Sequence, residues 1–276
     1  MRAKCYGLRA MKNKSLILYS TLAATIILIA IFAPLLTPFD PYEQNLSRAL
    51  LPPNEINLLG TDRYGRDVLS RVIMGSRVTI FASLMLLITI SIVGSLIGTI
   101  CGYKGGRLDT FLMRMSDVFL AFPQMVFAIA AAGALGGGLF NAAAALAIIG
   151  WPKYARISRS LTLTIKKMPY IDAAKMSGTN SINMLFNHIL PNIAGPVIVT
   201  AALDIGTIIM ELAGLSFLGL GAMPPTPELG AMMNNGRSML QTASWIILSP
   251  GAAIFIIVAS FNLLGDKIRD MIDPKN

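Results

Sequence analysis

Six long apolar stretches divide this sequence, and no other feature constrains the fold as strongly. A helix needs about 20 consecutive apolar residues to cross the hydrocarbon core of a bilayer. The stretches reach or approach that length, and they lie at residues 15–38, 78–102, 112–133, 139–155, 193–216 and 244–264. The sequence therefore predicts an all-α polytopic membrane protein with six transmembrane helices.

The overall composition agrees with this prediction. Hydrophobic residues make up 54% of the chain and charged residues only 13%, whereas soluble domains carry roughly 25% charged residues. Pro123, Gly136–Gly138 and Pro152 interrupt the third and fourth stretches, so the ends of these two helices are the hardest to place. The first stretch is longer than the apolar core of a signal peptide, and no small-x-small cleavage site follows it, so we expect a retained span.

The distribution of basic residues predicts the orientation of the helices. Of the 23 Lys and Arg residues, 17 lie in segments 1–14, 103–116, 153–190 and from 265 onwards, and six lie in the remaining segments. Cytoplasmic loops of membrane proteins carry the excess of Lys and Arg. Both termini are therefore expected in the cytoplasm. The net charge of +9 follows from this topology, and the dispersed basic residues do not indicate nucleic-acid binding.

This orientation predicts the division of the chain into parts. Residues 1–14 form a cytoplasmic N-terminus, 15–38 the first transmembrane helix, 39–77 an extracytoplasmic loop, 78–266 a five-helix core and 267–276 a cytoplasmic tail. The core includes a polar cytoplasmic loop at residues 160–191.

Within that loop, residues 172–192 are the longest polar-rich interval between apolar segments. We expect a helix from about Ile171 that Gly178 ends, because glycine is the usual residue just after a helix C-terminus. A second short helix is predicted from Ser181 to Ile189, with Ser181 as its N-cap and Pro191 closing the unit. Two short helices joined by a glycine bend would form a compact knob that faces the cytoplasm.

The interval begins with DAAKMSG and ends with HILPN, and four other motifs accompany it. They are LGTDRYGRDVLSR at 59–71, AFPQMVFAIA at 121–130, LSFLGLG at 215–221 and FNLLGDKIRDMIDP at 261–274. Together and in this order, they resemble the peptide/nickel permease family of ABC importers over nearly the whole chain. Two positions depart from the family pattern: Asp172 stands where Glu is usual, and Leu229 stands where Trp is usual.

The resemblance implies a type I ABC importer permease fold in the bacterial cytoplasmic membrane. It also implies the partners: a homologous second permease, two ATP-hydrolysing subunits and an extracytoplasmic solute-binding protein. The sequence contains no G-x-x-x-x-G-K-[ST] phosphate loop. We therefore expect no enzymatic activity and no cofactor in this chain, with ATP and magnesium bound by the partner subunits.

The resemblance also implies which residues contact the ATPase. The expected contact residues lie in the polar cytoplasmic loop and are Asp172, Ala173, Ala174, Gly178, His188, Leu190 and Pro191. The single histidine, His188, has no second ligand nearby, so it is expected to pack in the loop and not to bind a metal. Neither Cys5 nor Cys101 has a metal or redox spacing.

The predicted external loop contains a cluster of charges, namely Asp62, Arg63, Arg66, Asp67 and Arg71. Thr61 or Asp62 is suited to cap an amphipathic helix before the second span, with Val68 and Val72 on one face. Two interpretations remain open. The cluster forms a docking or gating surface for the binding protein, or it belongs to an interfacial helix that its own salt bridges hold in place.

Two acidic residues, Asp204 and Glu211, lie inside the fifth apolar stretch. A charge inside the bilayer costs at least about 2.5 kcal/mol, so each should face a cavity, water or a partner. Their spacing of seven residues places them on one helical face. We expect this face to line the passage and to favour cationic or zwitterionic solutes. Hydrogen bonds to neighbouring helices are the alternative.

The resemblance therefore implies that the chain forms half of the translocation pathway of an importer of short peptides. Nickel or a nickel chelate is the alternative substrate within the same family. A self-sufficient secondary transporter would require inverted repeats, and none is visible in the sequence. An intramembrane enzyme would require a nucleophile–base pair, but His188 lies in the polar loop.

Overall fold

The computed structural model describes the backbone of residues 2–272 and the side chains of residues 16–271. The helices are α1 (Arg2–Ile31), α2 (Ala33–Leu36), α3 (Val68–Lys104), α4 (Gly106–Ala121), α5 (Gln124–Ala134), α6 (Leu139–Ile165), α7 (Pro169–Met176), α8 (Ser181–Asn183), α9 (Leu190–Phe217), α10 (Leu229–Gly236) and α11 (Trp245–Ile272). Between residues 2 and 272 the only β pairing is an isolated bridge between Thr61 and Asp67. The prediction of an all-α chain is confirmed.

Three helical segments are individually long and apolar enough to cross a membrane. They are Val68–Lys104, Ser181–Phe217 and Trp245–Met271, and they contain the second, fifth and sixth predicted spans. The third predicted span is broken: α4 and α5 meet at an angle of 98°. The break falls at Phe122-Pro123, because the residue before a proline is driven out of the helical conformation, as Phe122 is with ψ 148°.

The other two predicted spans are also helical, with different limits. In α1 the apolar part is Leu16–Ile31. The helix is interrupted at Phe32, and α2 begins at Ala33 with Pro34 in its first turn. The fourth predicted span ends at 155, whereas α6 continues to Ile165 with Pro152 inside it. By length and composition, three or four spans are established for the described residues, and the number six stays a prediction.

The chain forms two compact units. The first comprises residues 1–84, 132–143 and 202–276, and the second comprises 85–131 and 144–201. In the first unit, an apolar core joins α1, α3, α9, α10 and α11. Its buried residues include Ala30, Ile80, Ile209, Leu229 and Phe261.

In the second unit, α3 and α6 cross at very close range. Gly94, Gly98 and Gly102 recur every fourth residue on α3, and a methyl group at any of them would collide with the α6 segment that contains Ala155. Small residues at this spacing let two helix backbones approach, which is a common device in membranes. The ends of α3 and α6 thereby form a fixed support for the segment that follows α6.

Candidate functional site

The DAAKMSG motif forms α7 and its C-terminal cap. Pro169 begins the helix after an extended Met168, and proline suits this position because its missing N–H is not needed there. The N–H of Gly178 bonds to the carbonyl of Lys175, and the N–H of Thr179 bonds to the carbonyl of Ala174. These two bonds form a Schellman motif. The predicted helix end at Gly178 is therefore confirmed.

Gly178 is required there by its backbone conformation. Its φ angle is +80°, in the left-handed region, where residues with a Cβ atom are disfavoured. No atom lies within 4 Å of the position that a Cβ would occupy. A larger side chain at 178 would therefore meet open space and would strain the backbone without a collision.

A small apolar core fixes this segment to its support. The buried side chains are Ile171, Met184, Leu185, Ile189 and Ile193, and they pack against Ile100, Tyr103, Leu161 and Ile165 of α3 and α6. In addition, the ammonium group of Lys166 donates a hydrogen bond of 2.6 Å to the carbonyl of Tyr103. A cation at the carbonyl end of α3 is favourable.

The second predicted helix differs from the sequence expectation at both ends. Asn180 is the N-cap, accepting a hydrogen bond of 2.8 Å from the N–H of Asn183, so the prediction of Ser181 as N-cap is wrong. Pro191 does not close the unit, because the helix continues from Ser181 to Phe217. A π-helical turn at Met184–Ile189 ends two positions before this proline. Its wider ring changes the carbonyl geometry that Pro191 would meet in a regular α-helix.

The predicted ATPase-contact residues have different environments. Asp172, Ala173, Gly178 and Pro191 are exposed, whereas Ala174, His188 and Leu190 are half-buried. Asp172 forms an exposed ion pair of 2.9 Å with Lys175, and Leu190 packs on the small core. The exposed residues among these seven form part of a surface. That this surface contacts an ATPase stays a prediction.

The sequence analysis missed the large apolar side chains on the same surface. Met176 is 91% exposed, and Ile182 and Phe186 are also exposed. Contiguous exposed apolar side chains surrounded by polar residues mark interaction sites. The signal was present in the sequence, since these residues stand among polar neighbours, but the helical register was needed to separate them from the buried Met184 and Leu185.

The charges at 62–71 form a buried hydrogen-bonded network in the first unit, which we call the 62–71 network. Asp62 accepts hydrogen bonds from the side chain of Arg66 at 2.7 Å and from the N–H groups of Tyr64 and Arg66. The guanidinium of Arg71 lies 3.6 Å from the same carboxylate and donates to the carbonyl of Pro41. The network thereby holds residues 39–66 against the start of α3.

Asp67 is the N-cap of α3. Its carboxylate accepts hydrogen bonds of 2.8 Å and 2.7 Å from the N–H and hydroxyl of Ser70 and one of 2.9 Å from the side chain of Asn57. The prediction that Thr61 or Asp62 caps a helix is therefore wrong. The separate amphipathic helix is also absent, because Val68 and Val72 belong to the first turns of the 37-residue α3. A capping carboxylate one residue before Val68 starts the helix there.

Burial separates the members of this charged cluster. Asp62, Arg66, Asp67 and Arg71 are all buried, whereas Arg63 is half-buried and donates a hydrogen bond of 3.4 Å to Asn235. Buried side chains that form hydrogen bonds and ion pairs with each other are not available to a partner protein. The geometry favours the interpretation that salt bridges tie this region down, and a docking role stays a prediction that only Arg63 is placed to fill.

Glu228 is a buried acid that the sequence analysis did not single out. Its carboxylate caps α10 by accepting hydrogen bonds from the N–H groups of Gly230 and Ala231, and it accepts one of 2.9 Å from the hydroxyl of Thr79 on α3. It is fully buried. The Thr-Pro-Glu sequence before an apolar run was the available signal for this cap.

The two acidic residues of α9 are both half-buried, and each interacts with other groups of the chain. A role in lining the passage stays a prediction. Among the described residues, no group of three or more His, Cys, Asp or Glu side chains is arranged to hold a metal ion.

Comparison with known proteins identifies the family. Residues 94–276 match the binding-protein-dependent transport system inner membrane component, and residues 8–53 match the N-terminal transmembrane domain of oligopeptide transport permease C.

Similar proteins cover nearly all of the chain. The dipeptide transport system permease protein of Haemophilus influenzae is 42% identical over 254 residues, which is 90% of this chain and 86% of that protein. The probable D,D-dipeptide permease of Escherichia coli is 43% identical over 90% of this chain and 84% of its own length. The nickel transport system permease protein of Escherichia coli is 37% identical over 91% of both chains. The chain therefore belongs to the binding-protein-dependent transport system inner membrane component family, the permease subunits of ABC importers.

Proposed function

We propose that this chain forms half of the translocation pathway of an ATP-driven importer of short peptides. The observation that carries the proposal is its likeness to peptide permeases, at 42% and 43% identity over 90% of the chain. A homologous second permease supplies the other half of the pathway. An extracytoplasmic binding protein delivers the peptide.

The proposal places the surface around α7 in the cytoplasm, where two ATPase subunits dock and hydrolyse ATP with magnesium. Three observations support this arrangement. The basic residues predict that residues 153–190 face the cytoplasm. The Schellman cap and the small core make the segment rigid, and rigidity is needed to transmit force. The exposed Met176, Ile182 and Phe186 supply apolar contact area.

The charge of Asp204 and Glu211 is compatible with peptides as substrates, as it is with other cationic or zwitterionic solutes. Both lie on one face of α9, where carboxylates would attract the N-terminal ammonium group of a peptide. A Glu211→Gln variant is expected to take up a peptide more slowly than the wild-type chain does. It should still import the same peptide when its N-terminus is acetylated. Unchanged uptake of both peptides would remove Glu211 from the pathway.

A nickel chelate is the second candidate, because the nickel permease is 37% identical to this chain. The experiment that separates the two substrates uses the complete transporter in proteoliposomes with its own binding protein. ATP-dependent uptake of radiolabelled dipeptides, without uptake of Ni(II) or of its histidine chelate, is the expected result. Uptake of nickel alone would contradict the peptide assignment, and uptake without ATP would contradict the ABC importer mechanism.

A further inference from the structure

A small cavity in the first unit lies between the 62–71 network and α10. Its volume is about 20 Å³, and about 10–15 Å³ is enough for one water-sized species. The polar residues that line it are Asp62, Arg63, Arg66, Arg71 and Asn235, and the rest of the lining is apolar. We call it the arginine cavity. It has room for one small ion or for a water molecule or two.

The charges that line the arginine cavity do not balance. Three guanidinium groups stand against the single carboxylate of Asp62, which leaves a net charge of +2. The neighbouring carboxylate of Asp67 lies outside the lining and caps α3 instead. Arg66 and Arg71 are only 4% and 3% exposed. Excess charge this far from water is costly unless an opposite charge compensates for it.

Two of the three guanidinium groups are only weakly compensated by the protein. Arg66 is satisfied, since its Nε and an amino group both contact the Asp62 carboxylate. In Arg63 the buried Nε has no hydrogen-bond partner among the described residues, and an amino group donates only a long bond of 3.4 Å to Asn235. Arg71 donates to a neutral backbone carbonyl, and its Nε stays 3.6 Å from the carboxylate, beyond hydrogen-bonding distance.

The ring of Tyr64 fixes two of these positive groups in place. The guanidinium carbons of Arg63 and Arg66 lie 4.8 Å and 4.6 Å from the centroid of the ring, which is the range of a cation–π contact. Like charges that were free to move would separate, but these two share one ring. Fixed positive groups around a polar cavity favour anion binding, because the donors need little ordering when the anion arrives.

The size and enclosure of the arginine cavity favour a small inorganic anion. A phosphate ester or a peptide exceeds the volume of about 20 Å³. A carboxylate on a partner protein would have to pass side chains that are almost fully buried. Water would fill the volume but, being neutral, would leave the charge of the lining uncompensated. Chloride is both small enough to enter and negatively charged.

We propose that the arginine cavity binds one chloride ion, and that the bound ion ties the 62–71 network to α10. Arg63 and Arg66 precede α3 and Arg71 lies in its first turn, whereas Asn235 belongs to α10. An ion between these groups joins the two elements through charge. The extracytoplasmic placement predicted for residues 39–77 gives the site access to external chloride. The site would be the same for a peptide importer and for a nickel importer.

Hydrogen–deuterium exchange of the complete transporter in detergent tests the proposal. Exchange is followed by mass spectrometry in sodium chloride and in sodium gluconate at equal ionic strength, because gluconate is too large for the arginine cavity. Chloride is expected to slow the exchange of backbone amides in residues 62–66 and 232–239 by at least about two-fold, since a ligand that binds the folded form suppresses local opening. The effect should saturate as chloride is increased.

Two matched variants locate the effect. Arg63→Gln removes a half-buried guanidinium from the lining, and the dependence on chloride should be lost. Arg48→Gln removes an exposed guanidinium from the same loop, outside the lining, and the dependence should be retained. In addition, crystals of the wild-type transporter grown with bromide should show one anomalous peak inside the cavity. That measurement needs no variant to fold.

Several outcomes would overturn the proposal. Equal exchange in the two salts would mean that water alone fills the cavity. A chloride effect that does not saturate, or that Arg63→Gln retains, would be a general effect of salt. Protection that requires the solute-binding protein in either salt would assign the cavity to a carboxylate of that protein. A missing bromide peak, or a peak without a chloride effect in solution (an adventitious ion only), would count equally against it. None of these results depends on peptide uptake, so they leave the proposed function untouched.

Discussion

Residues 169–192, which contain α7 and the π-helical turn and which we call the 169–192 segment, and the 62–71 network are both polar-rich regions beside apolar helices. They use their charges in opposite ways. In the 62–71 network, Asp62 and Arg66 are buried and satisfy each other. In the 169–192 segment, the ion pair of Asp172 and Lys175 is exposed, and apolar side chains fix the backbone instead. A motif shared with a family therefore marks an internal tie in one region and a presented surface in the other.

The largest difference between the two regions is expected in thermal stability, when the carboxylate of Asp62 or of Asp172 is replaced by an amide. Asp62→Asn leaves Arg66 and Arg71 buried without their common partner, and breaking a buried ion pair costs about 3–5 kcal/mol. Asp172→Asn removes an exposed pair, which contributes about 0–1 kcal/mol. Thermal unfolding of both purified variants in the same detergent measures the difference. Equal loss of stability would show that the 62–71 network is not a structural tie.

A second comparison concerns ATPase binding. The double variant Ile182→Asp/Phe186→Asp places charges on the apolar surface beside α7, so we expect the ATPase subunits to be lost on co-purification. The control is Leu46→Asp, which changes an apolar side chain that is 72% exposed in the loop before α3. That variant should retain the ATPase subunits. Loss of the ATPase subunits from the control, or their retention by the double variant, would contradict a docking role for this surface.

The smallest expected effect, on both stability and transport, comes from removing the hydrogen bond that Lys166 makes to α3 beside the 169–192 segment. Lys166→Met removes the hydrogen bond to the Tyr103 carbonyl but retains most of the aliphatic stem. A single hydrogen bond from a charged group contributes about 1.5–3 kcal/mol at most, and partial exposure reduces this. We expect slightly lower thermal stability and a few-fold lower uptake per ATP hydrolysed. An unchanged ratio would show that this bond does not help to hold the segment.

The sequence predicted the features that depend on local chemistry. Long apolar runs gave the positions of α3, α9 and α11, and the left-handed requirement at Gly178 gave the end of α7. It could not predict that the helix from Ser181 runs on through Pro191 into α9, because the π-helical turn before the proline has no fixed sequence signal.

The burial of the 62–71 cluster was equally hidden from the sequence. Alternating charges in a loop usually indicate a solvated surface, and only the tertiary contacts to Pro41 and Asn57 show that these side chains are enclosed. Likewise, the sequence placed Asp67 in the cluster but not as the cap of α3. The assignment of a cap requires the helix start to be known within one residue.

The central claim is that the 169–192 segment couples ATP hydrolysis to transport, and Gly178→Asp tests it most directly. Asp at a φ of +80° strains the cap of α7, and it adds a negative charge to the presented surface. In proteoliposomes that contain the complete transporter, uptake and ATP hydrolysis are measured together. We predict that uptake is lost, that hydrolysis no longer responds to the peptide-loaded binding protein, and that membrane insertion is unchanged. Uptake by Gly178→Asp at the wild-type rate would contradict the central claim.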